Sequence, residues 1–202
     1  MITKTFENRE DWLAARRGKI TGTRVKDLIV KRGTGKKKAY YELIAERLAV
    51  EPDTEETPMD RGTRLEAEGV QKFIETTGKE VDTSLVIWER DDNSSIAISP
   101  DGFIGKTEAV EMKCLSSASH IEAWLTQEIP DEYKDQALQY FVCSDELETL
   151  YVCFYDPRIP CKEFFWIEMN RESVKDEVSE YLKYEQDTLT EINNIVANLS
   201  GF

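Results

Sequence analysis

The chain has a single histidine, His120, and only four cysteines, Cys114, Cys143, Cys153 and Cys161, which stand far apart with no C-x-x-C pair. This excludes the usual zinc frameworks of paired cysteines and histidines. It favours thiols that serve as small buried apolar groups over disulfides. No run approaches the roughly 18 apolar residues that a membrane span requires, and the first residues lack the charged, apolar and small-residue order of a signal peptide. The sequence therefore reads as cytosolic. A Walker A loop is missing too: in "KRGTGKKK" Gly35 and Lys36 are followed by Lys37 rather than Ser or Thr, and no strand precedes them, which removes support for nucleotide hydrolysis. Positive charge is scarce overall, with 26 Lys and Arg against 40 Asp and Glu and a net charge of -14.

That average conceals a segregation. Residues 1–40 hold 12 Lys and Arg against 4 Asp and Glu, and the rest of the chain holds 14 against 36. A basic arm on an acidic body can grip phosphates while the body's field discourages indiscriminate adhesion to a polyanion. A solvated basic face without a partner is the alternative. The 202 residues, 40% apolar and 33% charged, suit one soluble domain with a sizeable core, so residues 1–202 are read as a single unit.

Along the chain, "FENREDWLAARRGKITGTRVKDLIV" gives helix, turn and helix before the basic loop. "AYYELIAERLAV" is a periodic helix, "EPDTEETP" an acidic loop, and "RGTRLEAEGVQKFIETTGKE" a helix that ends at Gly78. Strands are expected in "SLVIWER", "SSIAIS", "EAVEMKC", "ETLYVCFYDP" and "EFFWIEM". Between the third and fourth lie "HIEAWLTQ" and "DEYKDQALQYFVC", helical in period, which indicates an α/β (α+β) fold with a central mixed sheet flanked by helices. From Glu172 onward apolar residues recur at helical spacing, which predicts one long C-terminal helix.

Three charges interrupt the strands. In "AVEMKC" a period of two puts Glu111 and Lys113 on one face, about 7 Å apart at Cβ. Asp101, in the turn after "IAIS", reaches the same place if the two strands form a hairpin. Two carboxylates without histidine or thiolate suit Mg²⁺ or Mn²⁺. A lysine beside them suits phosphodiester hydrolysis, where it can orient a water or stabilise developing charge. An exposed Glu-Lys pair of little consequence is the plain alternative. Glu66 shares a helical stripe with Val70, Phe73 and Ile74, so it needs a partner, whereas Glu68 faces solvent. Gln136 lies on the Tyr133, Ala137 and Tyr140 face, where its amide can orient a water or phosphate, or make a core hydrogen bond.

The set Glu66, Asp101, Glu111-x-Lys113 and Gln136 resembles the PD-(D/E)xK nuclease signature. More narrowly, "WLAARRGKITGTRV", "RGTRLEAEGV", "ISPDGFIG", "VEMKC", "DQALQY" and "FYDPR" resemble the phage lambda exonuclease family of YqaJ-type viral recombinases, from about Trp12 to Arg158. The resemblance implies a restriction-endonuclease-like core, with Asp101 and Glu111 as metal ligands, Glu66 assisting at the metal, Lys113 acting on the water and Gln136 positioning nearby. It implies Mg²⁺, replaceable by Mn²⁺, with two ions per site as the expected count. Arg16 and Thr23 match the family's 5′-phosphate site, which Arg17 could share, and Met59 matches an apolar wedge that helps unpair terminal bases. The implied activity is processive 5′-to-3′ degradation of linear double-stranded DNA ends to mononucleotides and a 3′ single strand, by a ring-shaped homotrimer working with a single-strand annealing protein in phage recombination. Two rivals are a structure-specific or nicking endonuclease with the same core, and a non-catalytic DNA-end-binding module.

Overall fold

The structure is a computed structural model that describes Asp11, Ala14, residues 37–47 and residues 58–200. Its elements run α1 (Lys38–Arg47), α2 (Pro58–Thr77), β1 (Trp88–Arg90), β2 (Asn93–Ile98), β3 (Gly102–Ile104), β4 (Glu108–Lys113), α3 (Ser117–Thr126), α4 (Asp131–Cys143), β5 (Thr149–Tyr155), β6 (Phe164–Asn170) and α5 (Arg171–Ser200). The helix-turn-helix and basic loop expected before Lys37 lie outside the described residues, apart from Asp11 and Ala14, which are helical.

A four-stranded sheet in the order β3-β4-β5-β6 forms the centre, and β1 and β2 make a separate two-stranded ribbon. The sheet is mixed, as the interposed helices require: β4 and β5 run parallel, with α3 and α4 as the crossover, while the other pairs are antiparallel. Two apolar layers cover it. On one face Leu65, Val70 and Phe73 of α2 pack on Val110, Met112, Tyr151 and Cys153. On the other, Ala137, Leu138, Tyr140 and Phe141 of α4 pack with Ala109, Leu150, Val152 and Phe154, and α5 adds Val178. The alternation along β4 is thus a partition between two cores.

Local chemistry sets the helix ends. Gly78 has φ +69° and donates its N–H to the Ile74 carbonyl, the left-handed turn that ends α2 where the sequence predicts. α4 opens on Asp131 and Glu132, favourable at the positive end of a helix. Its last turn has no basic residue of its own. The orphan carbonyls are met from outside: Arg171 donates from Nη2 to the Phe141 carbonyl at 3.0 Å and also to that of Ser144, and Arg90 donates from Nη1 to the Val142 carbonyl at 2.6 Å.

Three expectations change. "SLVIWER" forms a strand only over Trp88–Arg90, and Leu85 and Ile87 are left exposed. "SSIAIS" pairs with β1 rather than with "EAVEMKC", whose hairpin partner is instead the three-residue strand Gly102–Ile104. Of the cysteines, all free, Cys143 and Cys153 are buried as expected, Cys114 is half-buried, and Cys161 is exposed at a turn. No helix among the described residues is long and apolar enough to cross a membrane.

Candidate active site

β4 delivers the two charged groups, and its register leaves them little freedom. Glu111 sits opposite Val152 and Lys113 opposite Phe154 in the parallel ladder, so both project toward α4. Their side chains meet there, Lys113 Nζ donating to Glu111 Oε1 at 2.5 Å. Glu111 is only 3% exposed, which removes the reading of a solvated surface pair. A carboxylate buried to this degree needs several partners, and α4 supplies them. Gln136 Nε2 donates to Glu111 Oε1 at 2.7 Å, and the Tyr140 hydroxyl donates to Glu111 Oε2.

Lys113 is held in the same way. Its ammonium donates to Gln136 Oε1 at 2.8 Å and lies 4.7 Å from the centre of the Tyr133 ring, a cation–π contact. Gln136 is exposed rather than buried, contrary to the helical-stripe reading. It reaches the site from the rim, its amide spanning Glu111 and Lys113.

Asp101 arrives through the β3–β4 hairpin. Gly102 pairs with Val110, which brings the preceding residue beside Glu111, and Asp101 Oδ2 accepts the Met112 N–H at 2.7 Å. Gly102 also permits a close approach, because a Cβ there would lie 2.5 Å from Val81 Cγ1. Burial pushes Asp101 up to about 6, with the Glu66 carboxyl adding to the rise and the Met112 N–H and Lys113 opposing it. Glu111 is also raised, by burial first and by Asp101 second, against the pull of Lys113 and Tyr140. Burial and the Glu111 charge push the Tyr140 phenol far above its ordinary value, so it remains a donor.

Glu66, half-buried on α2, completes the group from the other side of the sheet. Its neighbour is Asp101, which makes Asp101 the link between Glu66 and Glu111. Beside them a cleft of about 1010 Å³ opens between α2 and residues 83–87, with Glu66, Val70, Ile74, Leu85 and Asp101 in its walls. Met59 falls in the first turn of α2 rather than in a loop, and its side chain lies outside the described residues. Arg16, Arg17 and Thr23 also lie outside them.

The donor set fits a hard divalent ion in kind. Asp101 and Glu111 are carboxylates whose ionised forms are disfavoured by burial and mutual repulsion, a strain that a cation relieves. Three of the roughly four lone-pair positions of Glu111 are occupied by Lys113, Gln136 and Tyr140, which leaves one. Among the described residues no three His, Cys, Asp or Glu side chains form a ready cage; Glu66 meets Asp101, and Asp101 meets Glu111, in a row. Sequence reasoning missed Tyr140 as a site residue. The available signal was its place one turn after Gln136 on the same helix face.

The model of the YqaJ-like viral recombinase domain matches residues 11–146. Among solved structures, LHK-Exo in complex with dAMP is 28% identical, with a TM-score of 0.56 over 95% of this chain and 100% of that one. A second structure of LHK-Exo, an alkaline exonuclease from Laribacter hongkongensis, is 29% identical with the same TM-score and coverage. No curated protein sequence matches. These likenesses support a nuclease function.

Proposed function

This chain belongs to the YqaJ-like viral recombinase family, and from that premise we propose that it is a Mg²⁺-dependent double-strand DNA exonuclease. It degrades linear duplex processively from 5′ to 3′, releases mononucleotides and leaves 3′ single-stranded overhangs for an annealing protein. Its working form is a homotrimeric ring around the DNA. The observation that carries this reading is the buried Glu111 carboxylate joined to Lys113 and Gln136 and neighboured by Asp101, which with Glu66 lines the adjoining cleft.

Each residue has a task that follows from its contacts. Asp101 and Glu111 would hold the ion, with Glu66 next to Asp101. When bound, a divalent ion supplies Lewis-acid polarisation of the phosphoryl oxygen and a lowered pKa for water. Lys113 spends two of its three N–H donors on Glu111 and Gln136. The third is left to orient the attacking water or to meet negative charge developing on the phosphate. Gln136 fixes the ammonium and the carboxylate relative to each other. Water oxygen bonds to phosphorus, the bond from phosphorus to the 3′ oxygen of the terminal nucleotide breaks, and that oxygen leaves with a proton.

The test is linear duplex labelled at either the 5′ or the 3′ end, with Mg²⁺ or with chelator. Early release of the 5′ label as mononucleotide, only with Mg²⁺, is expected, and Lys113→Ala should lower the rate by about 10²–10⁴-fold. Cutting of closed circular duplex would favour a nicking endonuclease. Hydrolysis with no divalent ion at all, or none under any, would overturn the proposal. Sedimentation tests the trimer.

A further inference from the structure

Three residues of α4 at helical spacing, Tyr133, Gln136 and Tyr140, each touch a charged group of β4. Tyr133 presents its ring to Lys113, Gln136 bridges Lys113 and Glu111, and Tyr140 donates to Glu111 Oε2. Both Glu111 oxygens are thus gripped from one helix face, one by Gln136 and the other by Tyr140. Tyr140 is fully buried and its ring packs edge-on to Trp88 at 6.2 Å, so its hydroxyl has little freedom to wander. The two tyrosines are not accounted for by the residues assigned to the chemistry.

We propose that Tyr140 is a positioning residue that fixes the orientation of the Glu111 carboxylate, and that Tyr133 does the same for the Lys113 ammonium, making α4 the template on which the charged strand is pre-set. A carboxylate on a strand has two free side-chain torsions before its terminal rotation. One hydrogen bond to Oε1 leaves that rotation free, whereas contacts to both oxygens fix it. The groups that orient a metal-binding or reacting side chain commonly carry 10–100-fold of metal affinity or rate, because the reacting geometry tolerates little error. This inference rests on the nuclease reading of the site.

The experiment pairs Tyr140→Phe, which keeps ring and volume, with Tyr133→Leu, using full-length protein. Mn²⁺ binding is measured by calorimetry without DNA, and hydrolysis of linear duplex is measured as kcat and KM separately. For Tyr140→Phe the Mn²⁺ dissociation constant should rise about 10–100-fold and kcat should fall comparably, with KM for DNA within about twofold. Tyr133→Leu should lower kcat several-fold and leave Mn²⁺ affinity unchanged, because lysine is no ligand. Wild-type Mn²⁺ affinity and kcat in Tyr140→Phe, or a change confined to KM, overturns the proposal. If Tyr140→Phe does not fold, unchanged kcat in Tyr133→Leu overturns the template. Wild-type protein that hydrolyses nothing under any divalent ion would instead sink the nuclease reading, which separates the two failures.

Discussion

Gly69 lets α2 lie directly on the charged strand, and replacing it should reveal how tightly the layers are set. A Cβ at this position would stand 2.5 Å from Met112 Sδ and 3.0 Å from both Cε and Cγ. Met112 is 5% exposed, so its thioether must move within a filled core. Gly69→Ala gains about 1 kcal/mol of helix propensity and costs about 1–3 kcal/mol of overpacking. The net is a destabilisation of about 0–2 kcal/mol, or a Tm lower by up to roughly 8 °C for a chain of this size. Met112→Ala alone opens a cavity at a cost of about 2–5 kcal/mol. In the double variant the new methyl enters the vacated space, so the combined loss should be smaller than the sum by about 1–3 kcal/mol. Urea unfolding of the four proteins of the cycle measures this coupling. Additivity within about 0.5 kcal/mol, or a Gly69→Ala protein stabilised by the full propensity increment, would refute the contact.

Two titrations give predictions of opposite sign. Asp101 is pushed up to about 6, above the unfolded value of about 3.9, so the native state binds more protons between those values. Unfolding free energy should therefore fall as pH rises through this window; with chelator present, Asp101→Asn should be more stable than wild type by about 2–3 kcal/mol at pH 7 and nearly equal at pH 4. Equal stability at pH 7 would contradict the assignment. Asp156, fully buried, is pushed up by burial but is lowered overall because Arg158 and the Ser117 hydroxyl, 2.5 Å away, bind its charged form. Its contribution is complete above the unfolded value and is lost as pH falls through the lowered native one. Asp156→Asn should cost about 3 kcal/mol at pH 7, and urea unfolding of variant and wild type should converge at low pH; a gap independent of pH would count against the ion pair.

Periodicity carried the sequence reading furthest where one strand or helix decides the outcome by itself. Glu111 and Lys113 share a face because a strand has a period of two, and the stop at Gly78 is local backbone chemistry. What required a distant partner was harder to read. The Tyr140 hydroxyl finds Glu111 on another element, and nothing in "LQYFV" names that acceptor. Gly102–Ile104 is too short to have a pattern and is a strand because β4 lies on one side of it and Asp82 bridges Phe103 on the other. The reverse holds for "SLVIWER", whose apolar content suits a strand but whose first four residues have no ladder to join. Gln136 shares the face of Tyr133, Ala137 and Tyr140 yet is exposed, because amphipathicity reports a helix face, not how far its rim extends past the sheet.

The guanidinium of Arg171 also has a mechanical meaning. It is the opening residue of the thirty-residue terminal helix, yet its hydrogen bonds end on the Phe141, Ser144 and Leu147 carbonyls. The two helices are buckled together at that clasp, so tilting the long one would twist the short one about its tail. One side chain therefore ties the root of the rod to the tail of the helix that carries Tyr133, Gln136 and Tyr140.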